Sequence, residues 1–199
     1  MSEAKVDSGR RTWIAITCGA GAVGGAAVAV PFVASFAPSE RAKAAGAPVQ
    51  ADISALRPGE KMTVEWRGKP VWIVRRTEEQ LAALPKLDGQ LADPFSKRNP
   101  AELTPEYARN VPRSIKPEVL VCVGICSHLG CSPVDRFAPG AQPSLPDDWA
   151  GGFLCPCHGS TFDMAGRVFK NKPAPDNLEV PRHMYLSDTL LLIGEDSKG

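Results

Sequence analysis

The stretches Cys126-Ser127-His128-Leu129-Gly130-Cys131 and Cys155-Pro156-Cys157-His158-Gly159-Ser160 hold six of the nine cysteines and histidines in this chain; Cys18, Cys122 and His183 lie elsewhere. Cys126 and His128 are two apart, so both side chains can face one metal from a tight turn. Cys155 and His158 are three apart, the reach of a chelating knuckle. Two thiolates and two imidazoles can hold a two-iron cluster, with the thiolates on one iron and the imidazoles on the other. The same four groups can also hold a structural zinc, which would be colourless. A disulfide-bonded domain with incidental histidines is a third reading. Cys131 and Cys157 are left over, one per loop. Outside the cytoplasm, two spare thiols beside one site are expected to pair. By chain entropy such a bridge would contribute ~3 kcal/mol. Gly130 and Gly159 supply the backbone freedom that tight loops need.

The rest of the composition narrows the class. A chain of 199 residues suits one domain of ordinary size plus an appendage. A formal charge of +1 argues against a nucleic-acid binder, which needs a basic face. The 18 glycines and 19 prolines fit a loop-rich β domain better than a helical one.

Before the loops, the chain changes character three times. Residues 1–11 are polar and contain Arg10-Arg11. Trp13–Ala37 then runs for 25 residues without a charge. As a helix this is ~37 Å long, enough to cross a bilayer, so residues 12–37 read as a single membrane anchor. Its small residues permit close helix packing, Pro31 is a candidate kink, and Cys18 is a small apolar filler. A twin arginine before a weakly hydrophobic segment marks a Tat export signal. Lys5, Arg10 and Arg11 would then stay cytoplasmic. A cleaved signal peptide and a buried core helix are the competing readings. Residues 38–48, bounded by Pro38 and Pro48, read as a linker.

From residue 49 to 199 the pattern is that of a β domain. Val49–Leu56, Lys61–Trp66 and Pro70–Arg76 read as strands. Thr77–Leu84 reads as a helix with Thr77 as N-cap and Glu78, Glu79 in its first turn. Leu91–Lys116 is mostly loop, with a short helix near Pro105–Arg109. Glu118–Val123 is an apolar strand in which Cys122 is a buried, unreactive thiol. Ser132–Leu154, rich in proline and glycine, reads as an ordered surface excursion with Asp147 and Asp148 in solvent. Ser160–Asp163 and Gly166–Val168 form a hairpin. Leu178–Val180, His183–Leu186 and Thr189–Gly194 close the sheet, and His183 has a plain surface or packing role.

The motif Cys-x-His-Leu-Gly-Cys followed by Cys-Pro-Cys-His-Gly-Ser resembles the Rieske iron–sulfur subunit of bacterial ubiquinol–cytochrome c reductase, the cytochrome bc complex. The resemblance covers the anchor, the loops and the C-terminal segment. It implies a mainly β fold: a Rieske-type antiparallel β sandwich with a small cluster-binding subdomain over about 124–176, preceded by one transmembrane helix. It implies one [2Fe-2S] cluster with Cys126 and Cys155 on the inner iron and His128 and His158 on the outer one. It implies a Cys131–Cys157 disulfide across the loops. Lys172-Pro173-Ala174-Pro175 resembles the proline loop that shields the cluster, and residues 38–48 the hinge on which the head moves. The implied activity is electron transfer within a quinol–cytochrome c reductase. His158 would contact the quinol and accept its proton, and Leu129 would pack in the docking surface. The implied partners are cytochrome b, a membrane-bound cytochrome c, quinol and the membrane, in a dimeric complex. The implied setting is the bacterial inner membrane, with a periplasmic head. Another exported Rieske protein, such as the small subunit of arsenite oxidase, shares the Tat-like start and much of the motif. A Rieske ferredoxin or oxygenase generally lacks both the extra cysteine pair and the anchor.

Two residues beside the ligands bear on the potential. Ser160 matches a family serine whose hydroxyl bonds a bridging sulfide. Phe162 stands where many relatives have a tyrosine whose hydroxyl bonds a ligand sulfur. Phe cannot donate that bond, so the potential is expected to lie below that of Tyr-containing relatives. The variant Phe162→Tyr should titrate to a higher midpoint potential; an unchanged midpoint would rule this account out.

Overall fold

The computed structural model describes residues 8–40, 46–98 and 103–197. Lys5 and the middle of the 38–48 linker lie outside the described residues. The chain divides into an N-terminal unit, Met1–Ala44, and a second unit, Ala45–Gly199.

The first unit contains one helix, α1, Ser8–Ser35. It begins four residues before the expected anchor, so Arg10 and Arg11 lie in its first turns. The hydroxyls of Thr12 and Thr17 each donate to the carbonyl four residues back, to Ser8 and Trp13, which keeps these polar groups satisfied on an apolar helix. Pro31 lies inside the helix. The last turn tightens through Phe36 N–H to Val33 O and Ala37 N–H to Ala34 O, and Pro38 follows. The helix is long and apolar enough to cross a membrane, and none of its residues is buried.

The second unit is built from three antiparallel sheets of three strands. The first joins β1 (Val49–Asp52), β9 (Leu190–Ile193) and β8 (His183–Tyr185). The second joins β2 (Lys61–Trp66), β3 (Lys69–Arg75) and β4 (Val119–Val123). The third joins β5 (Val134–Arg136), β6 (Gly152–Leu154) and β7 (Thr161–Asp163). The β3–β4 pair is the shared wall between two cores. Val71, Ile73, Val119, Val121 and Val123 pack with Ala51, Leu191 and Ile193 of the first sheet. The alternate residues Trp72, Val74, Leu120 and Cys122 pack with Phe153 and Phe162 of the third. A strand buried on both faces needs apolar residues at every position, which is why β4 reads Val-Leu-Val-Cys-Val. Burial pushes the Cys122 thiol up to about 12, so it stays protonated and inert.

The short helix α2, Glu78–Ala83, starts on a capping box: Thr77 Oγ1 accepts the Gln80 N–H, and Gln80 Oε1 accepts the Thr77 N–H. A 3-10 turn, Leu84–Gln90, continues from it, and a second covers Glu106–Ala108. The sequence reading needs correcting in three places, the first being that the strand read over Val49–Leu56 ends at Asp52. Leu178–Val180 is not a strand; its backbone serves two loops and the end of β4, with Leu178 N–H to Gly166 O, Val180 N–H to Leu103 O, and Glu179 O accepting the Val123 N–H. Ser132–Leu154 is also more than an excursion, because its two ends are β5 and β6. Between them Trp149 is buried, its Nε1 donating to Arg136 O at 2.8 Å. Asp147 and Asp148 are exposed, as expected.

Three buried guanidiniums fasten the loops to the third sheet. Arg167 pairs with the fully buried Asp163 and with Asp88, both at 2.8 Å. Arg113 bonds Ser96, Thr104 and the carbonyls of Ala165, Gly166 and Leu178. Arg76 bonds Ser114 and the carbonyls of Pro112, Pro117 and Met164.

Of the two roles read for His183, surface or packing, the structure shows packing, since the residue is buried. Its Nδ1 is 2.8 Å from Pro181 O, and its ring meets the edge of Tyr107. Burial pushes its pKa below the ordinary 6.5, only partly offset by the Pro181 carbonyl. The unfolded chain therefore takes up a proton at a higher pH than the fold does. Stability falls as pH drops from about 6.5 toward the lower folded value. Chemical denaturation of wild type and His183→Leu at pH 7 and pH 5.5 checks this: the loss on acidification should be smaller in the variant.

Candidate metal centre

Each ligand loop is closed on its own first cysteine by the same two backbone bonds. In the first, Cys126 N–H donates to Cys131 O at 2.8 Å and Gly130 N–H to Cys126 O at 3.1 Å. In the second, Cys155 N–H donates to Ser160 O at 2.7 Å and Gly159 N–H to Cys155 O at 3.0 Å. The turns need a left-handed residue at the fifth position, and Gly130 (φ 79) and Gly159 (φ 76) supply it. The order of cysteine and histidine differs between the loops, yet the backbone does not.

This closure buries Cys126 and Cys155 at the floor of the site. The Cys126 thiol lies against Cys155, the His128 backbone N–H and the Ser160 hydroxyl. Burial, the largest effect, pushes it up, while the two donors pull it back. His128 is half-buried and His158 exposed. Their rings meet edge to face with centroids 4.8 Å apart, and Leu129 is exposed beside them.

Cys131 and Cys157 form a disulfide between the loops, with Cα atoms 6.7 Å apart. Their sulfurs lie within 4.8 Å of the Cys155 sulfur. Being bonded to each other, they offer no thiolate to a metal. The described residues therefore bring together two soft buried thiols and two imidazoles, and that donor set fits a mixed cluster.

The segment Lys172–Asp176 is fastened to both loops. Ser160 Oγ accepts the Ala174 N–H at 3.0 Å. Ser127 Oγ donates to Asp176 O at 2.6 Å and accepts the Asp176 N–H at 3.3 Å. The Ser127 latch was not singled out from the sequence, although a hydroxyl residue between two ligands is a readable signal. Asn177, next along the chain, accepts the Val168 N–H and donates to Asp93 O and Ser96 Oγ. From the other side Gly124 lets the first loop leave β4 directly over Trp72; a Cβ there would stand 2.1 Å from the indole Cε2. Trp72 in turn stacks on Phe153, with ring centroids 5.0 Å apart. Phe162 is fully buried in the same core as Cys126 and Cys155.

Residues 100–182 match the Rieske [2Fe-2S] domain family. Residues 1–39 match the family described as the ubiquitinol–cytochrome c reductase Fe-S subunit TAT signal. The ubiquinol–cytochrome c reductase iron–sulfur subunit of Allochromatium vinosum is 58% identical over 94% of this chain and 88% of its own length. Those of Bradyrhizobium diazoefficiens and Blastochloris viridis are 39% and 41% identical. They align over 93% and 89% of this chain and 94% and 88% of their own lengths. With its paired ligand loops, cystine bridge and twin-arginine helix, the chain belongs to the Rieske iron–sulfur subunits of ubiquinol–cytochrome c reductase.

Proposed function

We propose that this chain is the electron-transfer subunit of a respiratory quinol:cytochrome c oxidoreductase, active only within that assembly. The observation that carries the reading is the pair of imidazoles, His128 and His158, set together at the outer edge of the site above two buried thiols. Cys126 and Cys155 would hold the inner iron of the [2Fe-2S] cluster and His128 and His158 the outer one. When bound, the cluster accepts and releases one electron, at a potential that imidazole ligation raises above that of all-thiolate centres.

The chain's own residues do the rest. His158, the more exposed ligand, contacts the quinol and holds one of its protons on the ring nitrogen not engaged with the metal. Leu129, 70% exposed, supplies apolar area to the docking surface. Ser127 and Ser160 fix both loops to the proline segment, which keeps water from the rear of the site. One electron of the quinol passes to this subunit and the other to a b-type haem of the cytochrome b partner. Residues 38–48 serve as the hinge on which the head carries its electron to a membrane-bound cytochrome c. α1 anchors the subunit in the bacterial inner membrane with residues 1–11 in the cytoplasm, the head (49–199) in the periplasm, and the whole in a dimeric complex. The match of residues 1–39 and the relatives' names favour this reading over an arsenite-oxidase-type subunit.

The test uses membranes containing the full chain. A low-temperature EPR spectrum should show a mixed His/Cys two-iron centre, and its midpoint potential should fall at alkaline pH as the imidazoles lose protons. Zinc in place of iron, absence of inorganic sulfide, or a pH-independent midpoint would overturn the assignment. Purification of the subunit should also bring down a dihaem cytochrome b.

A further inference from the structure

Four of the six cysteines converge on one spot, and only two of these four belong to the mixed donor set. The sulfurs of Cys131, Cys155 and Cys157 all lie within 4.8 Å of one another. The Cys126 thiol adds a fourth, because it meets the Cys155 side chain and accepts from the His128 backbone N–H. Each loop thus offers two sulfurs without leaving its closed turn. Cys126 and Cys131 are joined by their own backbone bond at 2.8 Å, and Cys155 and Cys157 share the second turn. Two cysteine pairs from two facing loops are the donor set of a structural zinc site. Sulfurs on one tetrahedral zinc stand about 3.8 Å apart, since each Zn–S bond is about 2.3 Å. A shift of about 1 Å brings the widest of the three described pairs to that spacing.

The bridge between Cys131 and Cys157 is what withholds this set. Cys157 is exposed, so a dithiol in solution reaches the bridge from that side. The dithiol gives up two electrons and two protons and becomes a disulfide, while the S–S bond opens to two thiols. Zinc then displaces one proton from each of the four thiols. We propose that Cys126, Cys131, Cys155 and Cys157 form a second metal site, a four-thiolate zinc site present while the bridge is open. Closing the bridge removes two of its ligands and leaves Cys126 and Cys155 with the two imidazoles. While the bridge is open, zinc competes with the cluster for Cys126 and Cys155. The competition rests on the cluster reading above; the zinc site itself does not.

The test uses the full chain in detergent, freed of metal, in two forms. One keeps the bridge; in the other a dithiol has opened it and has been removed without oxygen. Zinc alone is the probe. X-ray absorption at the zinc edge should count four sulfurs at about 2.3 Å in the opened form. The bridged form should give two sulfurs and two nitrogens, the latter at about 2.0–2.1 Å. Cys131→Ser and Cys157→Ser should each weaken zinc binding by the opened form on the order of a hundredfold, a quarter of the binding free energy of a four-ligand site. Cys18→Ser, whose thiol lies in α1, should leave it unchanged. Fewer than four sulfurs in the opened form would overturn the proposal. So would parental zinc affinity in both serine variants with the far-UV circular dichroism of the parent. If the metal-free chain does not stay folded, zinc content replaces affinity. The full chain held in the cytoplasm of iron-starved, zinc-fed cells should then carry one zinc, and the Cys131→Ser/Cys157→Ser double variant none; equal zinc in both overturns the site. A bridged parent chain in membranes without a two-iron EPR signal would mark failure of the cluster reading instead, and would leave the sulfur count on zinc untouched.

Discussion

Closure of each ligand loop on its first cysteine is the constraint from which the rest of the site follows. Two amide bonds and one left-handed glycine turn each loop so that its leading thiol points into the core and its imidazole stays near the surface. The same backbone solution carries two different residue orders. A histidine can therefore sit third in one loop and fourth in the other and still meet its counterpart. The cystine bridge, the two serine latches and the packing of Trp72 under Gly124 all hold this pair of turns in one relative position.

That position is maintained by a sheet that serves two cores. The β3–β4 pair gives one face to the base of the head and the other to the metal-binding sheet, so the ligand floor rests on a layer already fixed from behind. The three guanidiniums complete the arrangement by satisfying carbonyls of the long loops that no sheet could reach.

Much of this was readable in the residues, for identifiable reasons. β2 falls on the expected Lys61–Trp66, and α2 starts after the expected Thr77, because alternation and a capping box are local signals. The cysteine pairing was legible because spacing and chemistry left one spare thiol per loop. The strands β5 and β6 were missed because three residues are too few for a period to show, and their partners lie across a proline-rich stretch. Leu178–Val180 carries a strand-like composition but makes only one bond to a strand, at the end of β4, and gives its other two to loop carbonyls. Arg76 and Arg113 could not be read at all, and for His183 the residues left surface and packing roles equally open. Polar residues in the interior are decided by tertiary partners, and none of these has a signature along the chain.

The cystine has one half in solvent: Cys157 is exposed while Cys131 is partly covered. The cross-link is therefore open to whatever thiol buffer bathes the head. In a reducing compartment the loops would be joined by the serine latches and by the core they share. In an oxidising one the sulfurs close and the grip tightens. The exposure of Cys157 thus ties the stiffness of the paired loops to the redox state of whatever surrounds them.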